Sequence, residues 1–132
     1  MMHPAFAGLV MSALLLWPEG LRAQGRETGP KLGAVEYEGW RQYSANCARC
    51  HGQDVAGNPV AADLRKSAAA GGPVADEAAF VQVTKEGRPK GGMPGFAKQL
   101  TDEQIKNIYA YVKGRADGKI PEGRPQKVAR SG

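Results

Sequence analysis

Apolar residues recur at helical spacing in three stretches of the chain, and no stretch shows the alternation that is typical of a strand. The first stretch covers residues 34–50, "AVEYEGWRQYSANCARC", and its predicted buried face consists of Val35, Gly39, Trp40, Tyr43 and Cys47. A glycine inside a helix costs roughly 1 kcal/mol relative to alanine, so we expect a close packing contact at Gly39. The pattern therefore predicts an N-terminal helix that packs one face against a core.

A second helix is predicted over residues 75–87, "ADEAAFVQVTKEG". Asp76 stands near its start, Gly87 at its end, and Phe80, Val81 and Val83 supply the apolar contacts. The chain on either side lacks a helical period. Residues 52–72 are rich in turn-forming residues, and residues 87–100 form a loop dense in glycine and proline.

The third predicted helix has the most complete set of end signals. Thr101 and Gln104 match the S/T-x-x-E/Q capping box. Leu100 and Ile105 occupy the positions of a hydrophobic staple, and Gly114 is placed as the C-terminal stop. The apolar stripe of this helix consists of Ile105, Ile108, Tyr109 and Val112. These features predict an all-α protein.

The ends of the chain differ in composition from its centre. Residues 1–23 contain a short apolar run followed by helix breakers and small residues, which predicts a secretory signal peptide and a periplasmic protein. The first residues lack Lys and Arg, so an uncleaved membrane anchor is the alternative. Residues 24–34 are predicted to be a flexible leader, residues 35–114 the folded domain, and residues 115–132 a basic tail that wraps the surface or stays mobile.

The composition of the chain limits the classes of partner and cofactor that it could bind. The 132 residues carry a formal net charge of +5 and contain two cysteines. Export argues against a nucleic-acid partner, and the Tyr and Trp residues are not interleaved with the basic ones. A domain of this size buries a modest core and often depends on a metal, disulfide or cofactor.

Cys47, Cys50 and His51 form a C-x-x-C-H motif in "NCARCH". Zinc, a redox disulfide and haem are the three candidates. A structural zinc site needs about four ligands, and the chain after residue 23 has no other Cys or His. A redox C-x-x-C motif requires a βαβ context, which the pattern does not show. The motif is the attachment sequence for haem c, so we favour one covalently bound haem with His51 as an axial ligand of the iron.

Met93 is the candidate for the second axial ligand. It is the only methionine after residue 23, and it lies in the loop "KGGMPGF", where glycines permit a close backbone approach. The alternative is a methionine that fills a gap in the core. His/Met ligation leaves the iron no open position, which predicts an electron-transfer protein and not an enzyme. Peroxidase chemistry would need a distal histidine, and none remains after His51.

With these motifs, residues 35–114 resemble the class I cytochromes c. The resemblance implies three to five helices wrapped around one haem, with Gly39 and Tyr43 crossing Ile108 and Tyr111 of the last helix. In that family a proline carbonyl orients the axial histidine. This chain has Ala62 at that position, in "AADLRKS", and its carbonyl is expected to take the same role.

Three further runs, "ADLRKS", "EGRPKGGMPGF" and "GRADGKIPEGRP", resemble soluble cytochromes that serve PQQ-dependent alcohol or methanol dehydrogenases. This resemblance implies a quinoprotein dehydrogenase as electron donor and a terminal oxidase or another cytochrome as acceptor. We expect a monomer without stable membrane insertion. The alternatives are a haem sensor or enzyme with a labile sixth ligand and a membrane-tethered subunit of a redox complex. A group of basic residues around Met93 is expected to attract an acidic partner. These residues are Lys85, Arg88, Lys90 and Lys98.

Overall fold

The computed structural model describes residues 29–128. Within this range five α-helices and two short strands follow one another. They are β1 (Lys31–Leu32), α1 (Ala34–Asn46), α2 (Ala48–His51), α3 (Leu64–Ser67), α4 (Glu77–Glu86), α5 (Asp102–Ala116) and β2 (Gln126–Lys127). The three predicted helices are present. The first is divided at Cys47, and the short helix α3 lies in a stretch whose sequence showed no period.

The centre of the fold is the crossing of α1 and α5. A Cβ atom built on Gly39 would lie 1.9 Å from the carbonyl oxygen of Asn107 and 3.1 Å from Cβ of Tyr111, so only glycine permits this approach. The rings of Tyr43 and Tyr111 pack with their centroids 5.6 Å apart. The predicted contact at Gly39 is confirmed. Val35 is 50 % exposed, and its placement in the core was wrong because it lies one turn before the crossing.

Helix α5 begins as predicted and ends later than predicted. The Gln104 amide donates to Thr101 Oγ1 at 3.2 Å, and the Thr101 amide donates to Gln104 Oε1 at 2.9 Å, which confirms the capping box. The helix continues past Gly114 to Ala116, and the turn that follows has Gly118 at a φ of 70°. Gly114 instead makes room for packing, since a Cβ there would lie 2.5 Å from Cδ1 of Ile120.

The bounds of α4 agree with its predicted end signals. Asp76 caps the helix by accepting from the Ala79 amide at 2.9 Å, and Gly87 ends it at a φ of 74°. A Cβ on Gly87 would lie 2.5 Å from the amide nitrogen of Gly95. The loop that contains Met93 therefore packs directly against the end of α4.

The segments flanking the predicted domain also pack in the structure. β1 and β2 pair in parallel, with Lys31 opposite Gln126 and Leu32 opposite Lys127. Leu32 and Ile120 are buried, so the core contacts continue on both sides of residues 35–114. The expectation of no strand was wrong because two-residue strands are too short to show alternation.

Residues 1–23, the predicted signal peptide, lie outside the described part of the chain. Among residues 29–128, no helix has both the length and the apolar character needed to cross a membrane.

Candidate functional site

One turn of helix holds the three residues of the C-x-x-C-H motif together. Cys47 precedes α2, and its carbonyl oxygen accepts from the amides of Cys50 at 3.1 Å and His51 at 2.9 Å. Residues three and four positions apart on a helix lie on the same face. The structure therefore brings these predicted site residues together on one side of α2.

The imidazole of His51 is oriented by a backbone carbonyl. Nδ1 lies 2.9 Å from the carbonyl oxygen of Ala62, and because a carbonyl only accepts, Nδ1 carries the proton and donates. This tautomer leaves Nε2 free to bind a metal, as in most histidine ligands. Ala62 thus makes the contact expected at this position, although it lacks the rigid ring of proline.

The loop that carries Ala62 is held by its own hydrogen bonds. The amides of Asn58 and Ala61 donate to each other's carbonyl oxygens at 3.1 and 3.2 Å, and the Asn58 side chain accepts from the Val60 amide at 2.9 Å. Gly57 has a φ of 74°, and a Cβ there would lie 2.6 Å from the Asp63 amide nitrogen. These contacts replace part of the stiffness that a proline would supply.

The two thiols have different surroundings. Cys47 is partly buried and packs against the core, whereas Cys50 is exposed, and both are free. Burial, with a smaller contribution from Cys50, raises the pKa of Cys47 to about 12. The Cys47 thiol is therefore neutral at ordinary pH in the structure described here.

Tyr43 links the core to the end of α2, a role that the sequence did not reveal. Its hydroxyl donates to the carbonyl oxygen of Gly52 at 2.7 Å. Burial raises the pKa of Tyr43 above its ordinary value, so the hydroxyl keeps its proton and remains a donor. The periodicity predicted Tyr43 only as a packing residue, and its hydrogen bond depends on the fold.

Met93 lies at the base of a tight hairpin. The Arg88 amide donates to the Met93 carbonyl at 2.9 Å, and the Met93 amide donates back to the Arg88 carbonyl at 3.2 Å. The Phe96 amide donates to the Thr84 carbonyl at 2.9 Å, which attaches the following residues to α4. The backbone of Met93 is consequently fixed, and its side chain is partly buried.

The donor set and the remaining apolar surface fit a haem. Residues 29–128 contain no cluster of three or more His, Cys, Asp or Glu side chains arranged to hold a metal ion. They do contain two thiols and an imidazole with a free Nε2 on one helical turn. Leu64, Val83 and Phe96 pack against the core but stay only partly buried, which leaves apolar surface for a large apolar group to cover.

The basic group around Met93 is only partly available to a partner. Lys85 donates to Asp102 at 2.8 Å and is exposed only in part. Arg88, Lys90 and Lys98 are exposed and form no ion pair with any of the residues described. These three residues, called the basic patch below, retain their full charge toward solvent.

Comparison with known proteins agrees with this geometry. Residues 34–112 match the family model described as cytochrome C oxidase, cbb3-type, subunit III. The chain is 38% identical over 95 residues to cytochrome c6 of Nostoc sp., covering 68% of this chain and 79% of that protein. It is 35% identical over 105 residues to cytochrome c-553I of Paracoccus denitrificans, covering 72% of this chain and 45% of that protein. This chain therefore spans less than half of the second relative.

A solved structure shows the same fold. The c-type cytochrome XoxG from Methylobacterium extorquens AM1 superimposes with a TM-score of 0.66 and 28% sequence identity, covering 77% of this chain and 64% of that one. Fold and site together define a protein that binds haem covalently. The chain belongs to the mono-haem class I cytochrome c family. Its cofactor is haem c, and it is an electron carrier and not an enzyme.

Proposed function

We propose that this cytochrome is an exported one-electron carrier whose iron is bound by His51 and Met93, with the haem attached through Cys47 and Cys50. The observation that carries the proposal is the hydrogen bond of His51 Nδ1 to the Ala62 carbonyl at 2.9 Å, which leaves Nε2 as the free ligand atom. Haem so bound supplies a one-electron oxidation and reduction, and a Met ligand raises its reduction potential. The hairpin at Met93 supports the second ligand.

We further propose that the carrier acts in the periplasm as a monomer. A quinoprotein alcohol dehydrogenase is the proposed donor, and a terminal oxidase or another cytochrome is the proposed acceptor. The support is the resemblance of three sequence runs to cytochromes that serve such dehydrogenases, and the apolar segment within residues 1–23. Redox partners of this kind meet through small, weak interfaces that allow rapid turnover.

Replacing Met93 by alanine is expected to abolish the weak charge-transfer band that sulfur ligation gives in the ferric absorption spectrum. The spectrum of the exported, haem-loaded protein should change from low-spin to high-spin, because alanine offers no ligand atom. Lys90→Ala is the matched control, since it changes an exposed residue of the same hairpin and should keep the band. A wild-type spectrum that is already high-spin would contradict ligation of the iron by Met93.

Reversing the charges of the basic patch is expected to slow reduction by the donor. In Arg88→Glu with Lys90→Glu, the second-order rate constant measured by stopped flow with a purified quinoprotein alcohol dehydrogenase should fall about tenfold at low salt. Its dependence on ionic strength should flatten, because steering between opposite charges is screened by salt. The reduction potential should change little.

The matched control for this pair is Lys31→Glu with Lys127→Glu. Both lysines are exposed on the paired strands β1 and β2, and their reversal alters the net charge by the same amount. A rate that falls equally in both double variants would show that net charge, and not the basic patch, governs association.

A further inference from the structure

Arg115 is the one buried charged residue among residues 29–128, with 5% of its side chain exposed. Its guanidinium donates to the carbonyl oxygen of Ile120 at 2.5 Å and to that of Asp54 at 3.2 and 3.3 Å. The carboxylate of Glu122 lies 3.6 Å away and is 70% exposed. Burial of a cation is costly unless its donors are satisfied. Here the carbonyl oxygens of Ile120 and Asp54 satisfy the guanidinium donors, and these bonds tie α5 to two separate loops.

The loop contacted at Asp54 has an unusual backbone. Asp54 and Val55 have φ angles of 55° and 57°, and they are the only non-glycine residues with positive φ in the described part of the chain. A β-branched residue rarely adopts this conformation. Val55 is fully buried, so the turn cannot relax without removing a core side chain. A turn of this kind persists only when the surrounding contacts hold it.

The strained turn begins three residues after the C-x-x-C-H motif, and Gly57, two residues beyond Val55, is bonded to that motif. The Gly57 amide donates to the His51 carbonyl at 2.7 Å. Asp54 Oδ1 accepts from the Gly123 amide at 3.1 Å, so the chain after α5 is also hydrogen-bonded to the turn. These bonds link Arg115 and the chain beyond it to Asp54, and they link Gly57 to the backbone of His51.

We propose that Arg115 is a positioning residue for His51. By holding the Asp54–Val55 turn, its guanidinium fixes the carbonyl end of α2 and thereby the direction in which the imidazole points. This inference rests on the proposed role of His51 as a haem ligand. An arginine suits the task because its planar fork reaches two carbonyl groups on different segments, whereas a lysine is a single point charge.

Amide hydrogen exchange in the haem-loaded protein tests the proposal, with Arg115→Gln compared against the wild type. Exchange at Gly57 should accelerate by about tenfold, while amides in the middle of α1 and α5 change much less, because the opening is local. In the ferric protein the NMR resonances of the His51 ring should shift. Arg115→Lys should give a smaller acceleration of exchange at Gly57 and a smaller shift of the His51 resonances. If Arg115→Gln does not fold, the lysine variant is used in its place.

Arg41→Gln is the matched control, because Arg41 pairs with Glu38 on the exposed side of α1. It should leave both the exchange at Gly57 and the His51 resonances unchanged. Uniform acceleration of all slow amides in the Arg115 variants, with unshifted His51 resonances, would overturn the proposal and leave Arg115 a general stabiliser. Failure of His51 ligation itself would appear differently, as a wild-type protein without hyperfine-shifted His51 resonances.

Discussion

Replacing Cys47 and Cys50 together by serine is expected to eliminate covalently bound haem. A serine hydroxyl lacks the nucleophilic character of a thiolate and forms no thioether. Haem staining of a denaturing gel should be strong for the wild type and at background for the double variant, because a haem held only by its iron ligands leaves the unfolded chain. Each single variant should retain part of the stain through the remaining sulfur.

The control for this experiment lies between the two cysteines. Arg49 is exposed, and Arg49→Ser introduces the same serine while leaving the C-x-x-C-H motif intact, so its haem stain should match the wild type. Full staining of the double cysteine variant would mean that the haem is attached elsewhere or differently. Equal loss in the Arg49 variant would indicate a general failure of maturation.

Replacing Gly39 by alanine is expected to destabilise the fold by about 2 kcal/mol. The added methyl would lie 1.9 Å from the Asn107 carbonyl oxygen, which belongs to the backbone of α5 and cannot turn away as a side chain would. Overpacking typically costs about 1–3 kcal/mol, and a clash with backbone belongs at the upper end of that range. The gain in helix propensity of roughly 1 kcal/mol leaves a net loss of about 2 kcal/mol. The midpoint of thermal unfolding should therefore fall by about 8–16 °C.

Gly91 provides the contrast. A Cβ at that position would have only Arg88 Cβ near it, at 4.0 Å, and its φ is not positive, so Gly91→Ala should unfold within a few degrees of the wild type. Equal unfolding temperatures for the Gly39 and Gly91 variants would show that α1 and α5 do not approach as closely as the structure places them.

Local chemistry determined much of the site in advance. Cys47, Cys50 and His51 are close in sequence, so a single helical turn is enough to bring them together, whatever the rest of the chain does. The capping box of α5 is likewise a property of four consecutive residues. For this reason the sequence sufficed to predict the haem, the helical class and the start of the last helix.

Other parts of the site depend on residues far apart in the chain. The bond of Tyr43 to Gly52 requires the turn after α2, and the contact of Arg115 with Asp54 spans 61 residues. The sequence placed Arg115 at the start of the predicted basic tail, residues 115–132, and nothing in that segment signals burial. The expectation of a flexible leader before residue 35 overlooked the pairing of β1 with β2. The two strands are far apart in the chain, and a strand of two residues has no period that the sequence could reveal.

The sequence by itself determined that the chain is helical, that it attaches haem, and which residues are candidates to bind it, since these depend on spacings within a few residues. The tertiary structure decided how those residues are held. It placed the Ala62 carbonyl against His51, closed the hairpin at Met93 on the end of α4, and buried Arg115 beneath a strained turn. Such contacts join segments distant in sequence, and folding alone brings their atoms within bonding distance.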